Sequence, residues 1–311
     1  MKNFWKNKKV LVTGGNGFIG SNVVEELIRR QAIVVITVQN NLQFNLSKKV
    51  KIEKTDLTNI DNCLKVTKNI DIILNFAALD GGSVFKKEHA AEIFKNNVAI
   101  VLNILEASRL NNIDRVLLMS STEVYSEDTK TPIKEEDGFL GDFSKDKYGY
   151  AWSKRFSEIA GMIYYNQYGL KIAIARVGNV YGPNDFRGIE RGRVIPTFIN
   201  KARKNENITI WGSGQQKKSF LYITDLVEAL LNLTEKYSVC DPVNITSSEY
   251  RTLKDLGEQI IKLSESKSKI VLKKIKNNEN SEKIISINKA KKNIGFEEQI
   301  PLIMGLQKIN N

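Results

Sequence analysis

The sequence predicts an α/β protein with a doubly wound, Rossmann-like parallel sheet and a smaller C-terminal lobe. Three observations support this prediction: near-continuous Val, Ile and Leu runs, helical patterns that alternate with them, and a glycine-rich turn after the first run. Strands of a parallel sheet are buried on both faces and therefore consist of such apolar runs. Because the connections between parallel strands are right-handed, the alternation places helices on both faces of the sheet.

A glycine-rich turn joins the first predicted strand, residues 9–13, to the first predicted helix, residues 18–30. Its glycines are Gly14, Gly17 and Gly20, and glycine is needed where the backbone takes a positive φ or closely approaches a ligand. The N-terminus of the helix presents free N–H groups and the positive end of its dipole, which favour a phosphate. The spacing predicts a nucleotide site, although the usual dinucleotide motif has its first two glycines one residue closer. An ordinary tight strand-to-helix turn is the alternative.

The rest of the N-terminal half continues the alternation. Further strands are predicted at residues 33–38, 50–54, 70–75, 116–120 and 172–176. Further helices are predicted at residues 60–67, 91–110 and 148–168. Ligands bind outside the carboxyl ends of the strands in such sheets, so we expect the functional residues there.

The pattern changes after residue 176, where Gly, Pro, Asn and Arg cluster through residues 178–192. Helices are then predicted at residues 195–204, 226–234 and 253–263, strands at 208–211 and 243–246, and two short helices within 289–307. We therefore predict a dinucleotide-binding domain at residues 1–176. Residues 177–311 are predicted to form mainly a substrate-binding lobe, with some return to the first domain.

Composition excludes several classes of protein. The 311 residues carry a net charge of +12, but Lys and Arg are scattered among acids, so no nucleic-acid partner is expected. No cleavable apolar segment follows the basic start, and no run approaches the ~18 apolar residues of a membrane helix. Cys63 and Cys240 lie far apart in sequence, which favours a reducing cytoplasm. His89 is the single histidine, so no metal site is expected and acid–base chemistry falls to Tyr, Lys, Glu or Asp.

The candidate chemistry lies on the helix predicted at residues 148–168. Tyr150 and Lys154 are four residues apart and therefore share one helix face. A neighbouring ammonium and the positive charge of a nicotinamide favour the phenolate, so we predict that the pKa of Tyr150 falls below its usual ~10. Such a tyrosine can take a proton from an alcohol while hydride leaves its carbon, and Ser121 could hold the alcohol oxygen. A half-exposed helix pair is the alternative, because Tyr-x-x-x-Lys is frequent by chance.

Together these motifs resemble an extended short-chain dehydrogenase/reductase of the nucleotide-sugar epimerase/dehydratase family. The resemblance runs from about Lys8 to the C-terminal helices and rests on five motifs in the right order. Within the family, the sequence is most similar to the branch of GDP-mannose 3,5-epimerase and GDP-L-fucose synthase. The stretches similar to that branch are residues 77–82, 179–183, 192–196 and 211–220.

The resemblance implies a nicotinamide dinucleotide held by Gly14, Gly17, Phe18, Ile19, Gly20, Gln39, Asp56, Leu57, Ala77, Ala78, Tyr150 and Lys154. In this assignment the glycines hold the pyrophosphate, Asp56 and Leu57 contact adenine, and Lys154 binds the nicotinamide ribose. A helix N-cap is an equally common role for such an aspartate. The second strand ends at Gln39 and Asn40, without the acid that usually marks NAD or the arginine that marks NADP. NAD is expected, and NADP stays an alternative.

The resemblance also implies a substrate site formed by Gly81, Gly82, Thr122, Asn179, Arg193, Lys201, Trp211 and Lys218. The two glycines approach the sugar, and Asn179, Lys201 and Lys218 face the diphosphate or the nucleotide. Lys218 replaces the usual arginine, so a bidentate phosphate grip is lost while a point charge is kept.

Two departures from the GDP-sugar branch bear on the reaction. Glu123 stands where that branch carries a cysteine, and Arg193 stands near the place of its His or Lys acid. Arginine hardly loses its proton, which argues against a two-base 3,5-epimerisation. Glu123 instead resembles the base of the 4,6-dehydratases, which takes the C5 proton once C4 is a ketone.

We therefore expect an enzyme that performs NAD(P)-dependent oxidoreduction at C4 of a nucleotide sugar, a GDP-sugar being favoured. It would act as an epimerase or C4 dehydrogenase through a 4-keto sugar, with Ser121, Glu123, Tyr150 and Lys154 as catalytic residues. A 4,6-dehydratase using Glu123 as base is the alternative, and a catalytically silent dinucleotide-binding sensor is a remote one. The family resemblance further implies polysaccharide biosynthesis in the cytoplasm, and a homodimer joined through two helices that include residues 148–168.

Overall fold

The structure, a computed structural model, describes residues 3–39, 49–143, 148–185, 187–274 and 283–310. Its strands are β1 (Lys9–Thr13), β2 (Ile33–Val38), β3 (Lys51–Lys54), β4 (Ile72–Asn75), β5 (Arg115–Ser121), β6 (Lys171–Val177), β7 (Val180–Tyr181), β8 (Ile208–Trp211), β9 (Lys217–Ser219), β10 (Leu221–Tyr222), β11 (Val243–Ile245), β12 (Tyr250–Thr252) and β13 (Ile270–Lys273). Its helices are α1 (Phe18–Arg29), α2 (Ile60–Val66), α3 (Ser83–Glu88), α4 (Ala90–Leu110), α5 (Tyr148–Tyr168), α6 (Val194–Arg203), α7 (Ile223–Lys236), α8 (Leu253–Leu263), α9 (Asn288–Ile294) and α10 (Leu302–Asn310). Short 3-10 helices lie at Thr122–Val124 and Glu135–Phe139.

Within the described residues, seven strands form one sheet in the order β11-β6-β5-β4-β1-β2-β3, and all of its pairs are parallel. The chain winds outward from β1 through β2 to β3, then returns to β4 on the other side of β1. The crevice at such a switch point lies outside the carboxyl ends of the strands. The prediction of a doubly wound parallel sheet is confirmed.

The second half of the chain both returns to this sheet and forms smaller ones. Strand β11 pairs with β6, with Val243 opposite Ala175. Two-stranded sheets join β7 to β10, β9 to β12 and β8 to β13. Several of these strands have only two or three residues, too few to show a period in the sequence. The division at residue 176 stays a prediction, and β11 supplies the return to the first domain that it included.

Helix α3 is absent from the sequence-based expectation, and its composition explains why. It has six residues, none of them buried, so it shows no apolar stripe. Several other boundaries move by one to three residues; the largest changes are at the start of α7, at Ile223 instead of residue 226, and at the end of α10, at Asn310 instead of residue 307.

A buried ion pair anchors α5 against the sheet. The Arg176 guanidinium on β6 donates to both carboxylate oxygens of Glu158 on α5, at 2.9 and 2.7 Å, and both side chains are 1% exposed. Arg176 also donates to the Tyr125 hydroxyl at 3.0 Å, and Tyr125 donates to Asn244 on β11. Buried charges require such partners, so this network fixes α5 relative to β6 and β11.

No described helix combines the length and the apolar character needed to cross a bilayer. The described residues also bring together no group of three or more His, Cys, Asp or Glu side chains that could hold a metal ion.

Candidate active site

The glycine turn between β1 and α1 is a close backbone cradle. Gly14 has a φ of 63°, and its carbonyl accepts a hydrogen bond from Gly17 N at 2.9 Å. A Cβ on Gly20 would lie 2.3 Å from the Gly14 oxygen. Within the described chain, no side chain caps α1 at Gly17, and its first turn carries no acidic residue. The first N–H groups of α1 therefore remain available to an anion.

The ends of β1 and β4 meet beside this turn. Thr13 Oγ1 donates to Asn75 Oδ1 at 2.6 Å and accepts from Ala77 N at 3.1 Å. A Cβ on Gly14 would lie 3.1 Å from the Ala77 nitrogen, and Ala78 follows as a half-buried residue. Small residues directly after both strands thus leave the crevice open at the helix N-terminus. This arrangement fits a dinucleotide whose pyrophosphate lies at the start of α1.

We expect Gly20→Ala to lower the affinity for NAD by about tenfold or more, since the new methyl group meets backbone and must displace the turn. Isothermal titration with NAD measures the effect. Glu25→Ala, which shortens an exposed side chain on the same helix, serves as the control. Equal affinities for the two variants would contradict a phosphate site at this turn.

Both predicted adenine contacts are engaged in local structure. Asp56 Oδ1 accepts from Thr58 N at 2.9 Å and from the Thr58 hydroxyl at 2.8 Å. The N-cap interpretation of Asp56 is wrong, because Asn59 caps α2 and accepts from Asp61 N at 2.8 Å. The Leu57 side chain is buried in the core, so only its backbone could face a ligand.

The other predicted cofactor residues lie around the turn. Phe18 and Ile19 are partly buried and pack against the core beneath α1. Gln39 is exposed directly after β2, and Asn40 lies outside the described residues.

The predicted catalytic residues come together beyond the carboxyl end of β5. Ser121 ends β5, and Tyr150 lies buried in the first turn of α5. Ser121 lies near enough to the Tyr150 hydroxyl to lower its pKa, and Ser121 Oγ accepts a hydrogen bond from Glu123 N at 3.1 Å. Lys154 follows one turn after Tyr150 and donates to the Met119 carbonyl at 2.7 Å.

Burial dominates the electrostatics of Tyr150. Burial raises the pKa of Tyr150 well above 10, and the Asp80 and Glu123 carboxylates raise it further. The hydrogen bond from Ser121 and the charge of Arg193 act in the opposite direction but are weaker. The protein groups alone therefore do not lower this pKa, because desolvation outweighs the nearby cations, and the effect of a bound nicotinamide stays a prediction.

Lys154 titrates nearer to neutrality than an ordinary lysine. Burial lowers the pKa of its ammonium to about 8, and the neighbouring charge of Lys86 contributes in the same direction. Its Nζ lies 5.5 Å from the centroid of the Tyr150 ring.

Sequence reasoning missed Lys86, which α3 places beside Tyr150. Its Nζ lies 2.8 Å from Glu123 Oε1 and 3.4 Å from Asp80 Oδ1. Burial lowers the pKa of Lys86, but the two carboxylates outweigh it and the net shift is upward. The sequence around Lys86 reads as a solvated, charged segment, and only the packing of α3 against α5 reveals the contact.

One oxygen of Glu123 is left for a ligand. Lys86 holds Oε1, whereas Oε2 is buried and has no hydrogen-bond partner among the described residues.

Sequence reasoning also missed Asn97 on α4. Its side chain accepts a hydrogen bond from Leu79 N at 2.7 Å and donates one to Leu79 O at 3.1 Å, which fixes the loop after β4.

The loop before α6 covers the same cleft. Arg193 Nη1 lies 3.1 Å from Asp185 Oδ1, and its guanidinium lies 5.4 Å from the centroid of the Phe18 ring. A Cβ on Gly82 would lie 2.5 Å from the Arg191 carbonyl oxygen. Gly82 therefore allows this loop to approach closely, in addition to the predicted approach of a sugar.

The remaining predicted substrate residues are spread over several elements. Gly81 precedes α3, and Thr122 follows β5. Asn179 Nδ2 donates to Ser219 O at 3.1 Å, and Trp211 is 57% exposed at the end of β8. The lysines among them lie at the end of α6 and on β9, namely Lys201 and Lys218. Their contact with a substrate stays a prediction.

Known proteins resemble this chain over most of its length. The sequence model of the NAD dependent epimerase/dehydratase family matches residues 10–246. A dTDP-4-dehydro-6-deoxy-D-allose reductase of a Streptomyces species is 33% identical over 315 residues, covering 98% of this chain and 95% of the relative. The GDP-mannose 3,5-epimerase of Arabidopsis thaliana is 31% identical over 275 residues, covering 85% of this chain and 72% of the relative.

A similar fold is seen in the UDP-N-acetylglucosamine 4-epimerase from Methanobrevibacter ruminantium M1, solved in complex with UDP-N-acetylmuramic acid. The TM-score is 0.87 and the sequences are 27% identical, covering 98% of this chain and 97% of that structure.

Proposed function

The chain belongs to the NAD dependent epimerase/dehydratase family, and we propose that it oxidises and reduces C4 of a GDP-sugar. The family prediction is confirmed, and with it an NAD-dependent enzyme that acts on nucleotide sugars. The proposed reaction is that of an epimerase or C4 dehydrogenase working through a 4-keto sugar. The observation that carries it is the meeting of Ser121, Tyr150 and Lys154 at the same edge of the sheet as the glycine turn, beyond the carboxyl ends of the strands.

The glycine turn and α1 would bind the cofactor through its pyrophosphate, and Lys154 would bind its nicotinamide ribose. When bound, oxidised NAD supplies the acceptor for the hydride that leaves C4 and a positive charge that favours the Tyr150 phenolate. Gln39, at the end of β2, is compatible with NAD and with NADP, because it is neither an acid nor an arginine.

Tyr150 would accept the proton of the C4 hydroxyl and return it when the ketone is reduced. The nearness of Ser121 supports this role, since two neighbouring hydroxyls can both reach the same substrate oxygen. Burial keeps water away, so the proton passes between the sugar and this one side chain.

The preference for GDP rests on the similarity to GDP-mannose 3,5-epimerase and on the four stretches shared with the GDP-sugar branch. The relatives act on dTDP-, GDP- and UDP-sugars, so the nucleotide is the part of the proposal that most needs a direct test. Asn179, Lys201, Trp211 and Lys218 would face the nucleotide or its diphosphate.

A nucleotide-sugar 4,6-dehydratase is the second candidate, and Glu123 favours it. Its Oε2 is buried and has no hydrogen-bond partner in the described part of the chain, as expected of a carboxylate that receives a substrate proton. A ketone at C4 acidifies the C5 proton, which Glu123 could then remove before water is lost.

One experiment separates these reactions. The protein is incubated with NAD, or with NADP, and with GDP-, UDP-, CDP- and dTDP-sugars in deuterated water. A C4 epimer without deuterium supports the epimerase, and reduced cofactor without deuterium supports the C4 dehydrogenase. Deuterium at C5 with loss of water supports the dehydratase. If no sugar in the panel is turned over, the proposed function is wrong.

The proposal includes a homodimer joined through α4 and α5. The two helices pack against each other, with the Phe94 and Phe156 ring centroids 6.5 Å apart. Both nevertheless expose large apolar side chains, among them Leu102 on α4 and Ile159 and Ile163 on α5. Exposed apolar surface of this kind favours association with a second copy.

We expect Ile163→Glu to convert the dimer to a monomer, since a charge at the centre of an apolar interface is desolvated without a partner. Light scattering after size exclusion gives the mass. The matched control is Ile303→Glu on α10, where the isoleucine is equally exposed but lies on another face. A wild-type protein that is already monomeric would contradict the dimer.

A further inference from the structure

The ammonium of Lys86 is enclosed by charges and by an aromatic face. It lies 2.8 Å from Glu123 Oε1, 3.4 Å from Asp80 Oδ1 and 3.8 Å from the centroid of the Tyr150 ring. Its side chain is only 13% exposed. From this geometry, and resting on the proposed function, we propose that Lys86 is a positioning residue that orients Glu123 and offsets the negative charge beside Tyr150.

The need for a cation follows from what surrounds the phenol. Deprotonation of Tyr150 creates a negative charge in a buried site that already faces two carboxylates, and like charges disfavour it. Lys86 contacts both carboxylates and the ring, so its positive charge opposes their field at short range. The charged groups that face Tyr150 from the surrounding elements are Asp80, Lys86, Glu123, Lys154 and Arg193.

The same contact determines the orientation of Glu123. Lys86 binds Oε1, and this leaves Oε2 as the buried oxygen without a partner among the described residues. Packing keeps Lys86 in place: the ring of Phe85, its neighbour on α3, stacks on His89 with centroids 4.4 Å apart. A Cβ on Gly81 would lie 2.4 Å from the Phe85 ring. The loop before α3 can therefore pack against this ring because position 81 is a glycine.

The test is the pH dependence of kcat/KM for C4 oxidation in the holoenzyme. We expect kcat/KM to rise with pH as Tyr150 loses its proton, and this rise forms the acid limb of the pH profile. In Lys86→Met the two carboxylates lose their counter-charge, so the limb moves to higher pH by about one unit and kcat/KM at pH 7 falls about tenfold. Lys86→Arg keeps the charge and the position of the limb. Lys87→Met, at the exposed neighbouring position of α3, is the control and leaves the limb unchanged.

A second variant tests the same electrostatics by removing a negative charge near Tyr150 instead of a positive one. Asp80→Asn removes one carboxylate and moves the limb to lower pH, and Lys86→Met with Asp80→Asn returns it toward the wild type. NAD affinity and the unfolding midpoint show whether Lys86→Met folds. If it does not, the single Asp80 variant still tests whether the charges around Tyr150 set the position of the acid limb.

The outcomes separate this inference from the proposed function. A uniform loss of kcat/KM in Lys86→Met, with the acid limb unmoved, overturns the positioning role and leaves a structural one. An unmoved limb in Asp80→Asn does the same. A wild-type protein that oxidises no nucleotide sugar refutes the proposed function itself, and this inference with it.

Discussion

Tyr150→Phe is expected to lower kcat for C4 oxidation by about a thousandfold, within the range found for loss of a positioned acid–base group. The substitution removes one oxygen from a buried side chain and leaves the ring packed beside Lys86. Affinity for NAD should change little, because the glycine turn and α1 remain intact. Absorbance of the reduced cofactor gives the rate, and titration gives the affinity.

Tyr168→Phe is the matched control for this variant. Tyr168 lies at the exposed end of the same helix, where its ring faces the guanidinium of Arg109. Phenylalanine keeps that contact, so the activity should match the wild type. If the two variants had equal activities, Tyr150 would not be the acid–base group.

Arg176→Met is expected to reduce the free energy of unfolding by about 3–5 kcal/mol, since it leaves the Glu158 carboxylate buried without its cation. The loss extends beyond one pair, because Arg176 also donates to the Tyr125 hydroxyl and to the Glu135 carbonyl. Urea denaturation followed by circular dichroism measures the change.

Lys171→Met is the control, at the other end of β6. Its ammonium lies 2.8 Å from Asp114 on the surface, where both side chains are more than a third exposed, so the cost should stay within about 1 kcal/mol. Replacing both buried partners, as Arg176→Met with Glu158→Leu, should recover part of the stability. A single Arg176 variant as stable as the Lys171 variant would show that the buried pair contributes little.

Much of the fold was predictable because the central strands and long helices carry strong periodic signals. The apolar runs that became β1, β2 and β4 are buried on both faces, and α5 has the predicted bounds. The short strands β7, β9 and β10 were not predictable, since their positions depend on pairing between distant segments. Strand β11 was predicted as a strand, but its place beside β6 is decided by tertiary packing.

The candidate site was predictable where its residues are close in sequence or follow a strand. The spacing of Tyr150 and Lys154, and the position of Ser121 after β5, are local features. The charges that surround them are not: Lys86 lies 64 positions before Tyr150, on a helix without a buried face. For the same reason the sequence did not show that the protein groups alone raise the pKa of Tyr150, because burial and the carboxylates of distant segments determine that direction.

The pairing of β11 with β6 has a consequence for how the polypeptide is made. Strand β6 is mostly buried and apolar apart from Lys171 and Arg176, and its outer edge stays uncovered until a segment near residue 243 has been synthesised. An unpaired apolar edge is a template for aggregation, and contacts between distant segments form slowly. A fragment ending at residue 176 would therefore lack its protecting strand. The two predicted lobes should fold as one cooperative unit and should not be separable by truncation.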